Sequence, residues 1–110
     1  MANKMRQRGT AFETAVVNFI NEKIPRVMAH RLPLSGAVDK GDLKVMTSGG
    51  KTYTVQCKAA KAFDLAGWLA DTEAQWKAAG TDDAVLIVKA PGKAIGRAYV
   101  IRALENYEWI

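Results

Sequence analysis

The sequence predicts an α/β fold: a mixed β-sheet flanked by helices, its elements in the order α-β-β-α-β-β. Three observations carry this expectation. Two stretches, 8–24 and 65–79, place apolar residues at helical spacing. Two further stretches, 42–47 and 51–58, flank Ser48-Gly49-Gly50 and read as a hairpin. Ala84 to Val88 is an unbroken apolar run, as expected of a strand buried on both faces. Strands interrupted by a helix in chain order imply a sheet with helices packed on it.

In the first helix Phe12, Ala15, Val16, Phe19 and Ile20 share a face, and Ile24 extends the stripe. Pro25 ends it, because the residue before a proline is steered out of helical geometry. At about 100° per residue Glu13 falls inside the apolar arc, between Ile20 and Ile24. A buried carboxylate wants a metal or a lysine, since an unpaired charge is costly to bury. The alternative is a Glu at the stripe's edge near the helix N-terminus, where the dipole favours it. Residues 30–40, punctuated by Pro33 and Gly36, read as a loop. The second helix starts at an Asp64 cap, turns Leu65, Trp68, Leu69, Thr72 and Trp76 inward, and stops at Gly80. Pro91-Gly92 makes a turn, and Arg97 to Ile101 reads as a last strand. The aromatic tail from Leu104 reads as a short strand or a docked turn.

The hairpin decides which side chains meet. With Ser48, Gly49 and Gly50 as the loop, Thr47 faces Lys51 and Asp42 falls opposite Gln56. Lys58, two positions on, shares that face. An acid, an amide carbonyl and an amine then converge on one patch, which suits a divalent metal and an activated water. A two-residue Gly49-Gly50 turn would instead set Asp42 opposite Cys57 and turn Gln56 and Lys58 away. Strand composition leaves both registers open, and an ordinary half-exposed strand with solvated Gln and Lys is the plain alternative.

A chain of 110 residues fits one domain, and 49% apolar with 25% charged residues supports a core and argues against disorder. The formal charge of +5 suits an anionic partner, nucleic acid above all. A single cysteine, Cys57, excludes an internal disulfide and a cysteine-based zinc cluster. One histidine, His30, cannot build a histidine-rich metal site. No run approaches a membrane span, and no apolar signal core follows the basic start of the chain. The expectation is a soluble, cytoplasmic protein. Trp68 and Trp76 sit at core spacing, and Trp109 is expected to dock at the C-terminus or at a subunit contact. Cys57 reads as a small core residue, not a nucleophile.

Four short motifs resemble the PD-(D/E)xK nuclease superfamily, and most closely the Holliday junction resolvases of archaea and phages. Arg8-Gly9 with Glu13 is similar to the N-terminal helix motif, and Ser35-Gly36 to the mobile loop before the active site. Gly41-Asp42 is similar to the metal-binding Asp motif, and Gln56-Cys57-Lys58 to the (D/E)xK motif. Gly41 replaces a common proline, and Gln56 stands where most members have Glu or Asp, though some use Gln. The resemblance spans nearly the whole chain. It implies a restriction-endonuclease-like single nuclease domain over 1–110.

Under that resemblance Asp42, the Gln56 amide, the Cys57 backbone carbonyl and Glu13 would hold Mg²⁺ or Mn²⁺. Lys58 would orient or deprotonate the attacking water, or stabilise charge on the phosphate. Arg6, Arg8, Arg31, Ser35, Lys40 and Lys61 would contact DNA. Resolvases of this type act as homodimers, since cutting a two-fold junction symmetrically needs two active sites. The small size suits a phage or prokaryotic recombination protein. The alternatives are another structure-specific or nicking endonuclease, a non-catalytic DNA-binding module, or a basic α/β protein whose partner is another protein.

Overall fold

The computed structural model of the protein describes residues 2–33 and 38–109, with side chains from Gly9 onward within that set. Ser35 and the side chains of Arg6 and Arg8, all three expected at DNA, lie outside the described residues. The chain runs α1 (Ala2–Lys23), β1 (Val27–Arg31), β2 (Leu43–Thr47), β3 (Thr52–Lys58), α2 (Leu65–Ala79), β4 (Asp83–Val88) and β5 (Tyr99–Ile101). Short 3-10 turns cover Ile95–Arg97 and Leu104–Asn106.

The five strands form one mixed sheet in the order β1-β2-β3-β4-β5. All neighbouring pairs are antiparallel except β3 and β4, which run parallel and are joined by α2. A parallel pair needs such a crossover, because a tight turn only returns the chain antiparallel. One sheet face packs on α1. Phe12, Val16 and Ile20 bury against Ala29, Leu43, Val45, Val55, Cys57 and Ile87. Each such large apolar side chain contributes about 1.5–3 kcal/mol on burial. Under α2 the opposite face mixes fully buried Leu86 and Val88 with buried Thr54, Gln56, Thr72 and Gln75. Among the described residues no helix is long and apolar enough to cross a membrane.

The expected α/β class with a mixed sheet is present, with one more strand than the sequence suggested. β1 occupies Val27–Arg31, partly within the stretch expected to be a loop. Its signal is weak because it is a short edge strand with Met28, His30 and Arg31 exposed. α1 begins at Ala2, earlier than expected, because the polar first turns carry no apolar stripe to announce them. α2 matches its expected bounds, with the Asp64 carboxylate accepting from the Gly67 N–H at 3.1 Å and Gly80 left-handed at φ 70°. Its inward face differs at two positions: Leu65 is exposed, and Gln75 is buried in its place. The expected strand 97–101 shortens to Tyr99–Ile101. Trp109 is 79% exposed and meets Tyr107 edge-on at 4.8 Å.

Candidate active site at the β2–β3 end of the sheet

The hairpin adopts the three-residue register. Leu43 pairs with Val55 and Met46 with Thr52, and the ladder stops at Leu43, so the expected Asp42–Gln56 pair does not form: Asp42 lies just beyond the strand. Thr47 N–H donates to the Lys51 carbonyl at 2.9 Å, closing the loop, and Gly50 takes φ 90°, a left-handed value that favours glycine.

Asp42 is held by its backbone on both sides. Its N–H donates to the Val55 carbonyl at 2.9 Å, and its own carbonyl accepts from Leu32 N–H at 2.9 Å. Gly41 before it has φ 97°, and a Cβ there would lie 2.9 Å from Thr54 Cγ2 and 3.2 Å from the Val55 carbonyl oxygen. Proline, fixed near a φ of about −65°, cannot adopt this conformation. Glycine at position 41 is therefore required by this backbone.

The Asp42 carboxylate accepts the Cys57 N–H at 2.8 Å through Oδ2. Its pKa is raised all the same: burial dominates, against the Cys57 N–H and the nearby positive charge of Lys58. Glu13 reaches the same place from α1. Its pKa is also raised, by burial first and by the Asp42 charge second, while Arg31 pulls it down. Arg31 Nη2 lies 3.3 Å from Glu13 Oε1, so the partner that Glu13's position demanded is an arginine from β1. Two partly buried carboxyls, both shifted upward by burial and one further by the charge of the other, are the arrangement a cation relieves.

Lys58 ends β3, with Nζ 6.0 Å from the Trp68 ring centroid. Trp68 is half-buried and also packs against Phe63 at 5.9 Å, so it supports Lys58 as well as the core. Gln56 is only 5% exposed, and its Oε1 accepts the Thr72 hydroxyl at 2.6 Å. That hydroxyl also lies 2.8 Å from the Trp68 carbonyl. Asp39, three residues before Asp42, is occupied: it accepts from Gly41 N–H at 2.9 Å and from Gln75 Nε2 at 2.9 Å. Cys57 is buried on the α1 face, where burial, and secondarily the Asp42 and Glu13 charges, push its thiol far above the usual range. A thiol held protonated is no nucleophile.

The structure thus gathers Glu13, Asp42, Lys58, Arg31 and the Cys57 backbone. It turns the Gln56 side chain under α2, and it leaves Lys40 and Lys61 exposed outside the cluster. His30, opposite Lys44 in β1, is exposed. Thr72 and Trp68 are the residues that sequence reasoning missed as site partners. Their spacing of four on α2's inward face was the available signal. Among the described residues no three His, Cys, Asp or Glu side chains form a ready metal group, so this pair of carboxylates would need carbonyl oxygens to complete a shell. No protein-family model matches the chain, and no curated protein or solved structure matches it either.

Proposed function

We propose that this protein is a metal-dependent endodeoxyribonuclease of the PD-(D/E)xK type that nicks branched DNA, a Holliday junction resolvase in its simplest form. The observation that carries this reading is the meeting of Asp42 and Glu13, both raised in pKa, beside Lys58. The all-oxygen donor set suits a hard cation: the Asp42 and Glu13 carboxylates and the Cys57 carbonyl, without the Gln56 amide, which is turned under α2 onto Thr72. Mg²⁺ or Mn²⁺ bound there supplies a polarised phosphate and a more acidic water. Lys58, fixed at the strand end beside Trp68, orients that water or takes up charge on the phosphate. Arg31 holds Glu13 at the site and keeps its carboxyl closer to ionised. The charge of +5 favours binding to DNA. Two-fold cutting would require a homodimer.

A second reading, a DNA-holding module without chemistry, is favoured by the Thr72 hydroxyl on Gln56 Oε1 at 2.6 Å. A labelled four-way junction and a matched linear duplex, each with Mg²⁺, Mn²⁺ or EDTA, separate the two. The proposal expects paired, metal-dependent nicks in the junction, abolished by Asp42→Asn and slowed about 10²–10⁴-fold by Lys58→Met. Equal cutting of duplex points to a less structure-selective nuclease. Binding without cleavage in either metal supports the second reading.

A further inference from the structure

β3 and β4 run parallel, so both leave the sheet at the same end, tied together by the Lys89 N–H on the Lys58 carbonyl at 2.9 Å. Between these exits, α1 and the turn before β5 lies a cavity of about 430 Å³. Alanines make up half its lining residues, and small side chains are what leave the space open. Phe12 and Ala15 of α1 form part of an apolar wall, and Lys61, Lys89 and Lys93 also line the cavity. No acidic residue lines it among the described residues. The cavity begins immediately after Lys58 in the chain and shares α1 with Glu13, since Phe12 precedes that acid.

An apolar hollow lined by three cations and no anion is complementary to a group with an apolar body on an anionic chain. Its volume is that of a small-ligand pocket, where about 300 Å³ is the lower end. We infer that this cavity receives a single unstacked nucleotide of the bound strand, its base against Phe12 and Ala15 and its phosphates on Lys61, Lys89 and Lys93. The inference rests on the DNA reading given above and adds a means of choosing substrate. Extruding a base requires least energy where stacking is already broken. A strand discontinuity would therefore be preferred over intact duplex without any base being read.

The test uses binding in EDTA, so that cutting plays no part. Wild-type protein is titrated against a fully paired duplex and against the same duplex with one bulged nucleotide, replaced by a fluorescent base analogue that is quenched when stacked. The expected result is about tenfold tighter binding to the bulged duplex, with a fluorescence change at the analogue. Ala60→Leu and Ala94→Leu, at exposed lining positions, fill the space; each should abolish the preference and leave duplex affinity unchanged. Thermal melting confirms their folding, and either variant alone suffices. Filled variants that keep the preference, or a wild type that never shows one, overturn the inference and leave the nuclease reading standing. No binding to either DNA overturns both.

Discussion

Asp42 is subject to opposed forces: burial disfavours its charge, while the Cys57 N–H and Lys58 favour it, and burial prevails. Glu13 is shifted the same way. Their native pKa values therefore lie above the unfolded ones, and the folded protein takes up these protons first as pH falls. Stability from this pair is fully present below the ordinary carboxylate values of 3.8 and 4.5 and is lost as pH rises through the raised native values. Near neutral pH, without divalent metal, Asp42→Asn should raise the melting temperature and flatten this dependence. Excess Mg²⁺ should stabilise wild type by about 2.7 kcal/mol at a hundred times its Kd, and should leave Asp42→Asn unmoved. Melting curves against pH and metal check both. The acid and the lysine were legible because a hairpin has period two and its loop offered only two registers; the amide was not, since Gln56 turns under α2 onto the Thr72 hydroxyl. Sequence spacing did not choose between those registers; the left-handed Gly50 and the Thr47–Lys51 hydrogen bond do. The Arg31 partner of Glu13 was not legible, since it depends on β1 lying beside α1.

At the scale of elements, β1 shows why an edge strand escapes a sequence reading. It has little apolar alternation of its own and is fastened by a side chain from elsewhere. The Asn21 amide on α1 accepts from the Ala29 N–H at 2.8 Å and donates to the Ala29 carbonyl at 3.0 Å. It thus supplies the pairing that a further strand would otherwise give, and it blunts an edge that could template another chain. Asn21→Ala should destabilise the fold by about 1–2 kcal/mol, speed hydrogen exchange at Ala29, and promote concentration-dependent self-association measurable by light scattering. α2 was legible throughout its length because both caps act locally, within a few residues of the helix ends. The burial of Gln75 was not, because its amide serves Asp39, far away in sequence.

Across the whole molecule, the end of the sheet away from Asp42 and Lys58 is closed by charge. Arg102 pairs with Asp83 at the start of β4, both largely buried. Lys51, from the hairpin, reaches Asp83 at 3.7 Å and Glu108 of the tail at 2.7 Å. Removing Arg102 leaves Asp83 with Lys51 and the Ala84 N–H, so Arg102→Ala should lose about 1–3 kcal/mol. That is a fall of roughly 4–20 °C in melting temperature for a domain of this size. Replacing both residues by apolar ones, Asp83→Leu with Arg102→Met, should recover most of the loss.

The three-residue loop at Ser48 to Gly50 also bears on the order in which the protein assembles. A hairpin closes within about 1–10 μs from contacts between near neighbours, whereas distant segments must first pay for loop closure. Asp42, just ahead of β2, and Lys58, at the end of β3, are brought together early by one such hairpin. Glu13 joins them only when α1 docks on the finished sheet. A nascent chain, or one opened at α1, holds the two carboxylates apart, so any chemistry that needs both is confined to the completed fold.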